Sequence, residues 1–228
     1  LYGISCNQNI LLLHDQITKY KPTIAVITDK KKYTEFVDQH GSRIGDTDIV
    51  YGEEGLNEIS SQQVVDIVVA AIVGFTCLRP VINAINSNKT IIIANKEILV
   101  SAGELIISAL KNSKSRLLPV DSEHNALLQV ILSSGLEYRI NDKNYYKSKL
   151  NNLIITASGG PFLDLEISKF KNIKSKHAIK HPTWNMGKKI SVDSSTMMNK
   201  GLEIIEAKLL FNLDLENINA IIHRQSKV

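Results

Sequence analysis

The sequence predicts an α/β fold that contains a Rossmann-like, doubly wound parallel sheet. Two observations lead to this prediction. Short runs rich in β-branched residues alternate with segments of helical spacing, and each run has a continuous apolar centre. Continuous apolar strands separated by helices are typical of a parallel sheet that is covered on both faces. The first half of the chain therefore has the pattern of a nucleotide-binding sheet.

The predicted strands and helices alternate along the chain. The strands are TIAVITD (23–29), VVDIVVAAI (64–72), KTIIIAN (89–95), SRLLPVD (115–121) and LNNLIITAS (150–158). Helices are predicted over KKYTEFVDQH (31–40) and LRPVINAINS (78–87). Pro80 suits the first turn of the second of these helices, because a proline lacks only a hydrogen bond that the first turn leaves unmade.

The second half contains two predicted connections and a long helix. Residues 138–150 are polar and aperiodic, which indicates a surface connection, and residues 176–189 are predicted to form a loop. A helix is predicted over residues 194–213, with serine and threonine caps at its start. Its apolar residues at helical spacing are Met198, Leu202, Ile205 and Leu209.

Composition bounds the class of protein. At 228 residues and 43% hydrophobic, the chain is long enough for one large domain or two modest ones. The net charge of +4 is spread without a basic stripe, so no nucleic-acid partner is expected. With neither a long apolar run nor a signal peptide, we expect no membrane partner and a cytoplasmic location. Cys6 and Cys77 are expected to be buried or half-buried free thiols.

Polar residues gather where three predicted strands end. They are Asn95, Lys96 and Glu97 after the third strand, Asp121 to Asn125 after the fourth, and Ser158 to Gly160 after the fifth. In open α/β sheets, ligands bind in the crevice outside the carboxyl ends of the strands. These residues are therefore expected to line one crevice.

Two carboxylates at the fourth strand end suggest a metal site. Asp121 and Glu123 can face one point, and Glu203 or Glu206 can add a third oxygen ligand, a donor set that favours Mg²⁺ or Mn²⁺ over zinc. The alternative is a helix N-cap with acids in the first turn, and solvated charges on the later helix. His124 is interpreted as a helix-start histidine with satisfied hydrogen bonds.

Other polar residues suggest a phosphate site and a lid. The tight turn at Ser158–Pro161 can direct backbone N–H groups toward a phosphate, with Lys96 and Lys200 as candidate partners. An ordinary turn and solvated surface lysines are the alternative. His181 and Trp184 lie in a segment containing Gly and Pro that can act as a lid, or as a surface turn whose tryptophan packs on the core.

Taken together, these motifs resemble the 1-deoxy-D-xylulose 5-phosphate reductoisomerase family. The matching blocks are AAIVG (70–74), ANKEILV (94–100), LLPVDSEHNALLQ (117–129), SGGPF (158–162) and HPTWNMGKKISVDSSTMMNKGLEIIEAKLLFN (181–212). The resemblance implies NADPH-dependent isomerisation and reduction of 1-deoxy-D-xylulose 5-phosphate, a sugar phosphate, to 2-C-methyl-D-erythritol 4-phosphate in non-mevalonate isoprenoid synthesis. It also implies an α+β catalytic domain with a flexible lid loop.

The resemblance assigns roles residue by residue. The metal ligands, for Mn²⁺, Mg²⁺ or Co²⁺, would be Asp121, Glu123 and Glu203. The residues around the substrate would be Lys96, Ser122, and, for its phosphate, Ser158, Ser194, Asn199 and Lys200. The lid residues would be His181, Trp184 and Met186. The NADPH-binding residues would be Asn95, Glu97 and Gly187, together with Asn7, Gln8 and Asn9.

The resemblance covers only part of the family's length. It implies a partial NADPH-binding domain at 1–114, a partial catalytic domain at 115–228, and a homodimer for the full-length protein. The family's first strand with its Gly-rich turn, and its C-terminal helical domain, have no counterpart in these residues, so the centre of the sheet is expected to be open. Two alternatives remain: an inactive remnant that binds metal or phosphate only, and a metal-dependent phosphate-ester enzyme without a nicotinamide step.

Overall fold

A computed structural model describes residues 1–140, 142, 144–179 and 187–225. The strands are β1 (Gly3–Cys6), β2 (Ile24–Ile27), β3 (Arg43–Ile44), β4 (Thr47–Tyr51), β5 (Ile67–Ala70), β6 (Thr90–Ile93), β7 (Arg116–Pro119), β8 (Leu153–Ala157) and β9 (Ile218–Ile222). The α-helices are α1 (Ile10–Tyr20), α2 (Lys30–His40), α3 (Gly52–Ser61), α4 (Leu78–Asn86), α5 (Lys96–Lys111), α6 (Ser122–Ser133), α7 (Ser175–Ala178), α8 (Lys188–Ser195) and α9 (Met198–Phe211). The five predicted strands correspond to β2, β5, β6, β7 and β8, and the two predicted helices to α2 and α4, within a few residues. These predictions are confirmed.

The chain forms two compact units. The first unit comprises Leu1–Asn95 with Ser108–Leu118, and the second comprises Lys96–Ile107 with Pro119–Val228. The predicted division at residue 114 into cofactor-binding and catalytic parts concerns function, and it stays a prediction.

Parallel strands organise the first unit. One sheet has the order β1-β2-β4-β3, in which β1, β2 and β4 run parallel and β3 is antiparallel to β4. A second sheet has the order β5-β6-β7, with β5 parallel to β6. Within the described ranges β5 pairs on one side only, and Ile67 and Val69 are 56% and 65% exposed. Two separate sheets are what an open centre produces.

Strand β2 shows how the first unit is covered on both faces. Every residue of β2 is buried. One face of β2, with Ala25 and Ile27, packs in a core with residues of α1 and with Phe36 of α2. The opposite face, with Ile24 and Val26, packs against Leu56 of α3. The apolar run therefore formed a strand with no solvent-facing side, as predicted.

The second unit contains the two-stranded parallel sheet of β8 and β9. The single helix predicted over 194–213 is wrong in its start. Helix α8 ends at Ser195, and α9 begins at Met198 after Met197, whose φ of 60° breaks the helix. The cap of α9 is thus a left-handed methionine without a side-chain capping bond, because the serines belong to the preceding helix.

The buried face of α9 also differs from the prediction. Met198 is 51% exposed and Ile205 is 37% exposed, whereas Glu203 and Glu206 are 0% and 1% exposed. Apolar spacing placed the wrong residues inside, because partners from other elements neutralise the acidic side of this helix. Those partners are Lys96 of α5, which pairs with Glu203, and His124 of α6, which faces Glu206.

Two predicted connections are more ordered than expected. In the stretch 138–150, Tyr146 is 0% exposed, and its hydroxyl donates to the Glu137 carbonyl and accepts from the Arg139 amide. It is therefore not a simple surface connection. The predicted loop 176–189 has helical residues at both ends, in α7 and α8, and its centre lies outside the described residues.

Two smaller expectations concern thiols and membranes. Cys77 is buried and Cys6 is half-buried, and both are free, as predicted. Among the described residues, no helix combines the length and the apolar character needed to cross a membrane.

We predict that Gly55→Ala lowers the stability of the first unit. A Cβ on Gly55 of α3 would lie 2.9 Å from methyl groups of Val26 and Val50. Alanine gains about 1 kcal/mol of helix propensity over glycine, but overpacking costs roughly 1–3 kcal/mol. Denaturant unfolding followed by circular dichroism should show a net loss, whereas Glu58→Ala on the exposed side of α3 should not. An equal or higher midpoint for Gly55→Ala would contradict this packing.

Candidate active site

A cluster of charged side chains forms where α5, α6 and α9 meet in the second unit. Lys96 is the first residue of α5, Asp121 precedes α6, and Lys200 and Glu203 lie on α9. Gly103 permits the close approach of α5 and α9, because a Cβ there would lie 2.5 Å from a methyl group of Leu209. Strand ends and a helix far apart in sequence thus bring their polar residues to one place.

Lys96 is the first of two buried cations in this cluster. Its Nζ lies 2.6 Å from Asp121 Oδ2 and 3.0 Å from Glu203 Oε1, and it donates to Asn199 Oδ1 at 3.0 Å. Burial lowers the pKa of Lys96, but the negative charges of Glu203 and Asp121 outweigh it and raise the pKa overall. Lys96 is therefore held as an ammonium ion.

Lys200 is the second buried cation. Its Nζ lies 3.0 Å from Glu123 Oε1, pairs with Glu203, and donates to the Thr156 carbonyl of β8 at 2.5 Å. Ser122 donates to Glu123 Oε2 at 2.6 Å. Burial raises the pKa of Glu123, yet the Ser122 hydrogen bond and the charge of Lys200 bring it below its usual value. Glu123 is consequently ionised near neutral pH.

Asp121 occupies the N-cap position of α6 without capping the helix. Its side chain makes no capping bond and instead meets Lys96. Burial works to raise the pKa of Asp121, but His124 and Lys96 lower it well below the usual range. Asp121 therefore stands at the helix start, as the cap interpretation predicted. Its side chain does not cap the helix, so that part of the interpretation is wrong.

The carboxylates of the cluster can converge on a single ion. One ligand oxygen from each of Asp121, Glu123 and Glu203 lies within 4.8 Å of the others. Three carboxylates facing two ammonium groups leave an excess of negative charge at this point. Hard oxygen donors of this kind fit Mg²⁺ or Mn²⁺. The residues present therefore fit a divalent cation.

A second polar cluster of the α9 region was not singled out as a unit by the sequence. His124 Nε2 lies 2.9 Å from the Glu203 carbonyl, and its Nδ1 lies 3.3 Å from Glu206 Oε2. Burial raises the pKa of Glu206 to about 8, although the charge of His124 opposes this shift. The spacing of Glu203 and Glu206 along one helix face was visible in the sequence, but their buried partners were not.

The predicted phosphate residues divide into two pairs. Gly160 has a φ of 72°, and a Cβ on it would overlap the Ser194 carbonyl, so the turn after β8 abuts the end of α8. Ser158 and Ser194 therefore stand on touching segments. The side chains of Asn199 and Lys200, in contrast, are engaged with the carboxylates, since Asn199 donates to Glu203 Oε1.

The predicted cofactor residues of the first unit are of two kinds. Asn7, Gln8 and Asn9 follow β1 and are exposed; Asn7 donates to Thr28 Oγ1, and Asn9 caps α1 by accepting from a backbone amide. Asn95 is 2% exposed and donates to the carbonyls of the loop after β5. Asn95 thus holds a loop in place, whereas the other three present polar groups to solvent.

The remaining predicted residues belong to the second unit. Glu97, near the start of α5, pairs with Lys189 of α8 at 2.7 Å, and Gly187 is the N-cap residue of α8. Sequence reasoning missed Lys189, although its spacing from Asp193 on one helix face was a signal of an ordered side chain. The predicted lid residues are outside the described part of the chain: His181, Trp184 and Met186.

Two models of one protein family match the sequence. The 1-deoxy-D-xylulose 5-phosphate reductoisomerase model matches residues 1–103, and the model of the reductoisomerase C-terminal domain matches residues 117–211. Together they include the whole carboxylate and lysine cluster.

Curated relatives carry the same family name. A 1-deoxy-D-xylulose 5-phosphate reductoisomerase from Clostridium perfringens (strain ATCC 13124) is 41% identical over 226 residues, which are 99% of this chain and 56% of the relative. One from Clostridium botulinum (strain 657 / Type Ba4) is 42% identical over 228 residues, covering 100% of this chain and 56% of the relative. The chain thus spans about half the length of these curated relatives.

Solved structures agree with the sequence matches. A DOX-P reductoisomerase in complex with NADPH, fosmidomycin and magnesium is 39% identical with a TM-score of 0.87, covering 99% of this chain and 55% of that one. The Zymomonas mobilis enzyme in complex with NADPH is 36% identical with a TM-score of 0.83, covering 99% of this chain and 54% of that one.

We predict that Lys96→Met destabilises the metal-free chain. Removing one partner of a buried ion pair leaves a carboxylate uncompensated, which costs about 3–5 kcal/mol. Lys208→Met, on the exposed side of α9, is the matched control. Thermal unfolding should show a large loss for Lys96→Met only, and Mn²⁺ should restore part of it by supplying positive charge. Equal stability of the two variants would contradict the role of Lys96.

We predict that Gly160→Ala is more damaging than Gly135→Ala. Both glycines have positive φ, 72° and 81°, but a Cβ has open space at Gly135 and overlaps Ser194 at Gly160. Left-handed strain alone costs about 1–2 kcal/mol, and overpacking adds roughly 1–3 kcal/mol. Urea unfolding of the two variants should separate these contributions. A loss no larger for Gly160→Ala would mean that the turn does not rest on α8.

Proposed function

The chain belongs to the 1-deoxy-D-xylulose 5-phosphate reductoisomerase family, and from this premise we propose that its residues serve the reaction of that family. The reaction is NADPH-dependent rearrangement and reduction of 1-deoxy-D-xylulose 5-phosphate to 2-C-methyl-D-erythritol 4-phosphate. The observation that carries the proposal is the convergence of Asp121, Glu123 and Glu203, since these are the ligands that the family resemblance assigned. The chain spans 56% of its relatives' length, so the activity is proposed for the protein to which these residues contribute.

Asp121, Glu123 and Glu203 would hold the divalent cation. When bound, Mn²⁺, Mg²⁺ or Co²⁺ supplies a Lewis acid that stabilises negative charge on the oxygens of the reacting sugar. The chain's own contribution is to keep the ligands close together, which Lys96 and Lys200 do through their ion pairs with these carboxylates.

Ser122 and Lys96 are proposed to contact the reacting end of the substrate. Ser122 is exposed at the start of α6 beside Glu123, so its hydroxyl can reach a ligand hydroxyl. The three N–H groups of Lys96 meet Asp121, Glu203 and Asn199, so contact with a substrate oxygen requires one of these partners to be exchanged. Donors held in place before the reaction stabilise developing charge with little reorganisation.

Ser158, Ser194, Asn199 and Lys200 are proposed to hold the substrate's phosphate. The contact between the turn at Gly160 and the end of α8 supports this proposal for the two serines. Anchoring a remote phosphate lets binding energy position the reacting carbons. His181, Trp184 and Met186 are proposed to cover the substrate and exclude water, a role inferred from the family resemblance alone.

NADPH binding is proposed for residues of each unit considered separately. In the first unit, Asn7, Gln8 and Asn9 are exposed neutral amides after β1, and the sequence of this turn contains no acid, which is compatible with NADPH; the carboxylate of Asp29 accepts a hydrogen bond from Gln8. Asn95 would act by shaping the loop after β5. In the second unit, Glu97 and Gly187 are the candidates, at the starts of α5 and α8.

A homodimer of the full-length protein and a cytoplasmic location complete the proposal. The homodimer rests on the family resemblance. The location is proposed because Cys6 and Cys77 are both free thiols, which is usual in a reducing compartment.

The test of the proposed reaction is loss of NADPH absorbance at 340 nm when 1-deoxy-D-xylulose 5-phosphate and Mn²⁺ are added to the purified chain. Turnover is the expected result if these residues carry the essential groups. Absence of turnover in a chain that is folded by circular dichroism and binds Mn²⁺ would leave the family assignment intact and place the activity in a longer protein that contains these residues. Phosphate release without NADPH oxidation would favour a phosphate-ester enzyme instead.

We predict that Asp121→Asn weakens Mn²⁺ binding. The amide keeps the shape of the side chain but removes a charge from the ligand set, and Asp46→Asn in an exposed turn serves as the control. Electron paramagnetic resonance of free Mn²⁺ gives the affinity directly, and we expect a loss of about tenfold or more. Unchanged affinity would remove Asp121 from the ligands.

A further inference from the structure

His124 links two of the three carboxylate residues of the site. Its ring is 0% exposed at the start of α6. On one side, Nε2 lies 2.9 Å from the backbone carbonyl of Glu203. On the other side, Nδ1 lies 3.7 Å from Asp121 Oδ2. The ring therefore spans from α9 to the residue that precedes α6.

The carbonyl of Glu203 fixes which way the ring is used. A carbonyl oxygen can only accept a hydrogen bond, so Nε2 carries a hydrogen and donates it. Nδ1 is then the ring nitrogen that faces the carboxylates. Flipping the ring would place a C–H group against the carbonyl and lose this buried hydrogen bond, which is worth about 0.5–1.5 kcal/mol.

The carboxyl group of Glu206 faces Nδ1, the second nitrogen of the ring. Its Oε2 lies 3.3 Å from His124 Nδ1, and Glu206 is 1% exposed. Because Glu206 is one turn beyond Glu203 on α9, the imidazole faces a single helix at both nitrogens, with a hydrogen bond at Nε2 and, at Nδ1, an ion-pair contact that lacks hydrogen-bond geometry. Rotation of the ring about its own axis would break one of the two contacts.

We propose that Glu206 and His124 are positioning residues that set the spacing between Asp121 and Glu203. Neither is a proposed metal ligand. They act by fixing α9 against the start of α6, so that carboxylates from two elements stay within reach of one cation. This inference rests on the proposed metal site and adds the residues that hold it. Contacts that orient metal ligands in this way typically contribute about 10–100-fold to metal affinity.

The test compares two substitutions of Glu206 in the purified chain. Glu206→Met keeps the length of the side chain but cannot hydrogen-bond to the ring. Glu206→Gln can donate a hydrogen bond to Nδ1 or accept one from it, so it preserves a polar contact with the ring. Glu104→Met, on the exposed side of α5, controls for loss of a carboxylate. Mn²⁺ affinity is measured by electron paramagnetic resonance, and stability by thermal unfolding without metal.

The expected result is Mn²⁺ affinity about tenfold weaker or more in Glu206→Met and close to wild type in both other variants. Glu206→Met removes one partner of a buried pair, so we expect it to be less stable than the wild type, and thermal unfolding without metal establishes that it is folded at the temperature of the Mn²⁺ titration. Wild-type affinity in Glu206→Met would overturn the proposal. Equal weakening by Glu206→Gln would also overturn it, since the loss of affinity would then not depend on a polar contact with the ring.

A nuclear magnetic resonance measurement on the metal-free chain supplies an independent check. The ¹⁵N shifts of the His124 ring report which nitrogen carries the hydrogen. We expect Nε2 to carry it in the wild type and in Glu206→Gln, with altered Nδ1 shifts in Glu206→Met. Failure of the wild-type chain to bind Mn²⁺ would defeat the proposed metal site and the positioning role together. Tight wild-type binding that Glu206→Met leaves unchanged would defeat only the positioning role.

Discussion

The second unit depends on the neutralisation of buried carboxylates by two lysines. Taking an ion out of water costs several kcal/mol, and this cost is offset only where opposite charges and hydrogen bonds meet it. Lys96 and Lys200 provide those contacts from different helices, and Lys200 also reaches the backbone of β8. The contacts that close this part of the fold are therefore the same contacts that build the site.

Because the same contacts stabilise the fold and build the site, they have an electrostatic consequence for metal binding. A divalent cation and the two ammonium groups are attracted to the same oxygens, so observed metal affinity is a difference between two favourable arrangements. Burial opposes the charged forms of Asp121 and Glu123, but Lys96 helps to lower the pKa of Asp121 and Lys200 that of Glu123, and both lysines reduce the repulsion between the carboxylates. A site of this kind can persist without metal, which sets it apart from structural metal sites that fold only around their ion.

The sequence predicted the first unit better than the second for a physical reason. A strand such as β2, buried on both faces, is encoded in four consecutive residues, so local pattern suffices. The inward face of α9 carries Glu203 and Glu206, whose partners lie far away in sequence, and apolar spacing alone placed Ile205 inside instead. The convergence of Asp121 and Glu123 was predictable because the two carboxylates lie two residues apart at one strand end. The contacts of His124 with Glu203 and Glu206 were not predictable, because they form only when α6 and α9 pack together.

Tyr146 shows that a polar stretch can be part of a core. Its ring is fully buried beside Phe211, and its hydroxyl ties two backbone groups of the preceding turn. Tolerance of a chain to insertion follows from the burial and hydrogen bonding of its backbone, and not from its hydrophilic composition. An affinity tag, a protease site or a new terminus engineered between Arg139 and Leu150 would therefore disturb the packing of α9, although the amino-acid composition there suggests a permissive site.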